Sequence, residues 1–172
     1  MKRGNRYVLL IGMGLIFMPL LAVRAQGPIR DKIFLTKVMT SSQAEIKYSQ
    51  LAAKNSNSLR TKAFAARQIV QHKKFNEELE AIAGRLKVTV PQELERDQSA
   101  AIDNLSKLSG AEFDRSYLNR IIEDREKGLK AFQEEVDKGN SEELKKLCSE
   151  ALPHMQRDLK RARRLVEIAS RK

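Results

Sequence analysis

One histidine, His72, interrupts the apolar stripe of a predicted helix. Going back from Leu86 in steps of three or four residues gives Ile82, Leu79, Phe75 and then His72. This spacing predicts an amphipathic helix with an imidazole on its inward side. A buried imidazole can bind a metal, move a proton or join a hydrogen-bonded network. The polar residues on neighbouring helices decide between these roles.

Three other predicted helices also carry one polar residue at an inward position near their middle. We therefore predict that four side chains meet at one level of a helical bundle as a buried polar layer. Two carboxylates, one guanidinium and one imidazole come close to charge balance, which burial requires. The predicted layer consists of Glu45, His72, Arg125 and Asp158.

A metal site is the alternative for the same positions. Glu45, His72 and Asp158 would supply two carboxylates and one imidazole, a ligand set that transition metals accept. Di-iron sites of helical bundles require glutamate three residues before each histidine ligand, and neither histidine of this chain has one. Arg125 would also project its permanent positive charge among the ligands. We predict no metal, no cofactor and no catalytic residues, with a metal-binding or redox protein as the alternative.

Four long helices are needed to position these residues. Asn55-Ser56-Asn57-Ser58 predicts a tight turn, so the first two helices should be antiparallel neighbours. The connection from Lys87 to Gly110 is long enough to cross the bundle and contains a short extra helix. Pro153 is expected to kink the fourth helix or divide it. The predicted helices are Asp31–Asn55, Ser58–Leu86, Asp97–Leu108 (the short one), Ala111–Lys138 and a last one that begins after Ser141.

The amino-terminal residues predict a sorting signal. Basic residues precede an apolar run from Tyr7 to Val23, and Val23-Arg24-Ala25 has the pattern of a cleavage site. We predict a signal peptide at residues 1–25, a single domain at residues 26–172 and a periplasmic location. Attachment to a membrane through an uncleaved signal segment is the alternative.

Positive charge is concentrated near the carboxyl terminus. Without residues 1–25 the chain has 29 Lys and Arg and 22 Asp and Glu, a net charge of +7. Residues 153–172 alone contain seven basic and two acidic residues. The candidate anion-binding face consists of Arg157, Lys160, Arg161 and Arg164. We predict an anionic envelope component or another periplasmic protein as partner, with helix-dipole complementarity and solubility as the simpler explanation. Nucleic acid is not expected, because no stacking aromatics accompany the arginines.

Several short motifs resemble the secreted bacterial proteins of domain-of-unknown-function family 4142. The resemblance extends over about Asp31 to Ala169. The motifs are Ala44-Glu45-Ile46, Gln50-Leu51-Ala52, Phe64-Ala65 with His72, Leu108-Ser109-Gly110, the run Phe113 to Leu118, and Leu152-Pro153 before Asp158-Leu159. The resemblance implies an all-α, ferritin-like four-helix bundle with up-down-down-up topology and an envelope location. It implies no activity.

The chain also departs from that family at three positions. Members typically have Asp-His where this chain has Gln71-His72, and a second Asp-His where it has Asp124-Arg125. A further family histidine is replaced by Asp158, so one of three is present. The sequence therefore predicts an exported, non-catalytic helical bundle with a binding or structural role, in which a polar layer takes the place of a metal site.

Overall fold

The computed structural model describes residues 26–170, with side-chain environments from residue 29 to 169. Every regular element in this part of the chain is an α-helix, so the protein is an all-helical bundle. The helices are α1 (Gln26–Asn55), α2 (Leu59–Leu86), α3 (Arg96–Ser106), α4 (Gly110–Lys138) and α5 (Glu142–Ser170). The predicted signal peptide lies outside the described residues. None of the five helices is long and apolar enough to span a membrane.

Local sequence explains the start of α2, whereas the predicted start of α1 has to be corrected. The hydroxyl of Ser58 accepts a hydrogen bond from the Thr61 amide at 3.3 Å and caps α2, as the turn sequence predicts. The start predicted for α1, at Asp31, is wrong, because α1 begins at Gln26.

Pro153 lies inside α5 and does not divide it. A helix interior normally disfavours proline, which removes one hydrogen bond and crowds the preceding turn. Here α5 has buried residues on both sides of the proline, Leu144 and Leu147 before it and Met155 and Leu159 after it. Packing on both sides explains why one helix continues from Glu142 to Ser170.

The core consists of two apolar clusters, one toward each end of the bundle. In the lower cluster Phe132 contacts Phe34 edge-on at 5.4 Å and stacks on Phe75 at 6.0 Å between ring centroids. In the upper cluster Tyr117 contacts Phe64 and Phe113 at 6.4 and 5.8 Å. Cys148, the single cysteine of the sequence, is a free thiol buried in the lower cluster.

The packing forms two helical hairpins that meet through α1 and α4. Helix α1 packs mainly on α2, α4 packs mainly on α5, and the short α3 lies against α1 and α4. Residues near the start of α1 contact residues near the end of α4, and residues near the end of α1 contact residues near the start of α4. The contacting pairs are Arg30 with Glu134, Phe34 with Phe132, Glu45 with Arg125, and Ser49 with Tyr117. Helices α2 and α5 contact each other far less, so a groove remains between them.

Candidate functional site

A band of polar side chains separates the two apolar clusters. Its members come from α1, α2 and α4, and each is buried. We call this group the central cluster. It consists of Ser42, Glu45, Gln68, His72 and Arg125. The structure therefore brings together three of the four residues that the sequence predicted for a buried layer.

Arg125 is the hub of the central cluster. Its Nη1 donates to Glu45 Oε1 at 3.2 Å, and its Nη2 lies 3.1 Å from Glu45 Oε2, a two-point contact between guanidinium and carboxylate. The same Nη2 donates to Gln68 Oε1 at 2.6 Å. The Nε atom of Arg125 is buried with no hydrogen-bond partner among the described residues.

His72 uses both ring nitrogens inside the cluster. Nδ1 lies 2.9 Å from Ser42 Oγ, while Nε2 lies 3.1 Å from Glu45 Oε2 and 2.9 Å from Arg125 Nη2. A guanidinium can only donate, so Nε2 accepts from Arg125 when the ring proton is on Nδ1. When the proton is on Nε2, that nitrogen donates to Glu45 and Nδ1 accepts from Ser42. Neither tautomer leaves a ring nitrogen free for a ligand.

Glu45 is held as a carboxylate by its partners. Burial raises the pKa of this group, but the charges of Arg125 and then His72 outweigh burial and lower the pKa of Glu45 to about 2. At neutral pH its negative charge therefore balances the guanidinium. A buried carboxylate that a guanidinium contacts at two points has the properties of a structural ion pair.

Asp158, the fourth predicted member, is buried but stands apart. No hydrogen bond or ion pair among the described residues joins it to Glu45, His72 or Arg125. Burial raises the pKa of Tyr117, and the negative charge of Asp158 adds a small further increase. It lies instead on the wall of the groove between α2 and α5. Gln68, which the sequence prediction missed, accepts the hydrogen bond of Arg125. Its position one helical turn before His72 was the available signal.

The three residues proposed as metal ligands, Glu45, His72 and Asp158, are not arranged as a ligand set in this structure. Within the described part of the chain, no group of three or more His, Cys, Asp or Glu side chains is arranged to hold a metal ion. Arg125 stands between two of the proposed ligands, His72 and Glu45. The alternative stays a prediction, which elemental analysis of the purified protein tests.

A basic groove of about 830 Å³ lies between α2 and α5. All four residues of the candidate anion-binding face line it, and α2 adds two arginines that the sequence prediction missed. Their spacing of seven residues places both on one face of α2. The six basic side chains of the groove are Arg60, Arg67, Arg157, Lys160, Arg161 and Arg164. All six are exposed.

The basic side chains of this groove have no acidic partners. Within residues 29–169, no ion pair involves any of the six, whereas Arg163 on another face of α5 pairs with Glu126 at 2.6 Å. Arg157 donates to Nδ1 of His154 at 2.8 Å, which orients its guanidinium without neutralising it. The groove therefore carries a net positive charge, because its lining contains six basic side chains and one acidic side chain, Asp158, which forms no ion pair with them among the described residues.

A second polar group, the end cluster, lies where α1 meets the junction of α4 and α5. It consists of Arg30, Asp31, Glu135, Gly139 and Asn140. The carboxylate of Asp31 accepts hydrogen bonds from the backbone amides of Asn140 and Ser141 at 3.0 and 2.7 Å. Asp31, which the sequence analysis placed at the start of its own helix, therefore stabilises the amino end of α5.

Glu135 is the unsatisfied member of the end cluster. Its side chain is 1% exposed, and neither carboxyl oxygen has a hydrogen-bond partner in the described structure. Burial and the nearby charge of Asp31 raise the pKa of Glu135 to about 7, against a weaker opposing effect of Arg30. Arg30 approaches no closer than 3.8 Å. Burial and the charge of Glu135 in turn raise the pKa of Cys148 to about 12, which makes that thiol unreactive.

Comparisons with known proteins agree with an all-helical family without an assigned activity. The family model described as "Domain of unknown function (DUF4142)" matches residues 19–165. A crystal structure of a DUF305 fragment from Deinococcus radiodurans is similar with a TM-score of 0.70 and 12% sequence identity, over 83% of this chain and 97% of that one. At this identity the likeness concerns the fold alone. No curated protein matches the chain.

Proposed function

The chain belongs to the DUF4142 family, and we propose that it is an exported, non-catalytic protein that binds an anionic component of the bacterial envelope. The observation that carries the proposal is the groove between α2 and α5, where six exposed basic residues have no acidic partner among residues 29–169. Exposed cations on a folded surface usually occur among acids, and a cleft with a strong excess of positive charge attracts anions over several ångströms.

The central cluster fits a structural role within this proposal. Arg125 occupies the core position at which the family resemblance implies a histidine, and its charge is matched by Glu45. We expect this ion pair to hold the hairpins together in the place where better-matched relatives would keep a metal. The proposal therefore needs no cofactor.

The finer fold assignment, a ferritin-like bundle with up-down-down-up topology, also belongs to the proposal. Contacts that move along α1 and α4 in opposite directions support antiparallel packing of these helices. The short turns within the α1–α2 and α4–α5 hairpins support the same order. A crossover that contains α3 is the connection such a topology requires.

Envelope docking is tested by charge reversal on α5. In the native host, Arg157→Glu, Arg161→Glu and Arg164→Glu together should release the protein from the envelope fraction into the soluble fraction. A control with the same change in net charge uses Lys47→Glu, Lys127→Glu and Lys130→Glu, three exposed residues outside the groove. The control should fractionate like the wild type. Unchanged fractionation of the groove variant would overturn envelope docking.

Export is tested separately by mass. The intact protein from the native host should begin at Gln26, because the predicted cleavage site follows Ala25. A full-length mass in the membrane fraction would instead show an uncleaved anchor. Full-length protein in the cytoplasm would overturn export itself.

A further inference from the structure

The walls of the groove carry two parallel rows of positive charge. On α5 the basic residues 157, 160, 161 and 164 follow helical spacing along one face, and on α2 the pair 60 and 67 lies opposite. Seven residues of helix correspond to about 10 Å of rise. The cations are therefore spread along the groove rather than gathered around one point.

The floor of the groove strengthens the attraction. Phe64 is buried there, and Leu165 and Ile168 are half-buried, so the space between the rows is bounded by apolar groups. A cleft with charges of one sign and low-dielectric walls concentrates the electrostatic field inside it. An anion within the groove would be attracted more strongly than one on an open, equally charged surface.

We infer that the groove between α2 and α5 binds a linear, phosphate-bearing polyanion, an inference that rests on the proposed anion-binding function. A single phosphate could occupy only a small part of the 830 Å³ and contact only part of either row. A chain of phosphates would contact both rows along their length. Guanidinium groups, which form five of the six cations, suit phosphate because they donate two parallel hydrogen bonds.

The shape of the site distinguishes this partner from other anions. A lipid bilayer is flat and would contact the rims of a groove but not its floor. A nucleic acid would gain from exposed Phe, Tyr or Trp rings, and the lining offers none, because its one such residue, Phe64, is 1% exposed. Both partners remain outcomes of the test below.

The groove also contains one carboxylate, and its removal is expected to change the affinity for a polyanion in a definite direction. Asp158 lies in the lining, is 7% exposed and has no ion pair with any residue in the described range. Its negative charge would repel a polyanion held between the rows. Removal of that charge by Asp158→Asn should therefore tighten binding, by about two- to tenfold. Because a folding defect weakens binding, it cannot mimic this gain.

The experiment measures binding of long-chain inorganic polyphosphate to the purified full chain by calorimetry over a range of salt concentrations. Arg60→Gln, Arg67→Gln and Arg161→Gln together should weaken binding by about tenfold or more and lower the log–log salt slope by about three. The matched control, Lys47→Gln, Lys127→Gln and Lys130→Gln, removes equal charge outside the groove and should change affinity by less than about threefold. Equal losses in both variants would overturn the inference.

Further probes separate failure of this inference from failure of the proposed function. Pyrophosphate should bind at least about tenfold more weakly than the polymer, because it reaches fewer cations. Pyrophosphate binding as tight as that of the polymer would overturn a linear ligand and leave an anion-binding function. Tighter binding of phosphatidylglycerol vesicles, polyglutamate or single-stranded DNA would overturn the phosphate polymer in favour of that partner class. If no anion binds, the inference and the proposed anion-binding function both fail.

Discussion

The central cluster and the end cluster both bury a glutamate, yet they shift its pKa in opposite directions. For Glu45 and for Glu135 the largest single influence on the pKa is burial, which raises it. Arg125 contacts Glu45 at two points, whereas Arg30 stays 3.8 Å from Glu135 and Asp31 adds a second negative charge. The pKa of Glu45 is therefore about 2 and that of Glu135 about 7. The contrast shows that the partner, and not the depth of burial, decides whether a buried carboxyl group is charged.

Arg125→Met is expected to have the largest effect, because it removes the cation that keeps Glu45 ionised. The substitution leaves Glu45 buried without its cation, which should lower the free energy of unfolding by about 3–5 kcal/mol at neutral pH. Denaturant titration measures the loss. Arg163→Met, which removes a surface pair with Glu126, serves as control and should cost less than about 1 kcal/mol. Near-native stability of Arg125→Met would contradict a structural role for the ion pair.

Glu45→Gln tests whether the lowered pKa of Glu45 makes the stability of the protein depend on pH in the acid range. A carboxylate with a lowered pKa contributes stability that is present above the unfolded value, 4.5, and is lost as the pH falls toward 2. In the wild type this contribution is on the order of 3 kcal/mol. Glu45→Gln should be less stable than the wild type at pH 7 and should lose less stability between pH 5 and 2 as measured by thermal unfolding. Parallel pH curves would show that Glu45 is not held ionised.

Gly139→Ala tests how tightly the end cluster is packed. A Cβ atom at Gly139 would lie 2.5 Å from the backbone oxygen of Glu135 and 2.6 Å from its carboxyl Oε1. The backbone has to move, so we expect a loss of about 1–3 kcal/mol in denaturant titration. Gly84→Ala has open space around the new methyl group and should stabilise α2 by up to about 1 kcal/mol. Similar effects of the two changes would contradict close packing around Glu135.

Glu135→Gln should produce the smallest effect and the opposite dependence on pH. Because the pKa of Glu135 is raised from 4.5 to about 7, the folded state binds the extra proton between these values, and stability falls as the pH rises through this window. The glutamine variant cannot ionise and therefore does not lose stability as the pH rises. It should be more stable than the wild type by about 1–2 kcal/mol at pH 8 and should differ little from it at pH 4.5. Thermal unfolding at the two pH values measures the difference. A Glu134→Gln control, at an exposed neighbour, should not show this pattern.

Much of the architecture was predictable because helical periodicity is a local property. The spacing of apolar residues and the turn residues near Ser58 and Ser141 predicted four long helices and one short one, and the structure has five helices at these places. The same periodicity placed Glu45, His72 and Arg125 on inward faces, where the structure buries them.

The site could be predicted only in part because contacts between helices depend on their rotation and offset. Asp158 is buried on the wall of the groove and makes no hydrogen bond with Arg125, which contacts Gln68 instead. The pairing of Asp31 with the start of α5 joins residues 110 apart and leaves no local signal. Burial of Glu135 does have a local signal, because it follows the buried Phe132 by three positions and so lies on the same face of α4.

The ion pair between Glu45 and Arg125 has a consequence for how the chain folds. It joins residues 80 apart in sequence, whereas α1 with α2 and α4 with α5 are each joined by a few residues. Local hairpins of this kind form quickly, and the contact between distant residues has to wait for them. We expect the two hairpins to form first and their docking to be the slow step. A docking error of one helical turn, about 5.4 Å, would leave the guanidinium facing apolar groups, so we expect the ion pair to favour the native offset of the two hairpins over a shifted one.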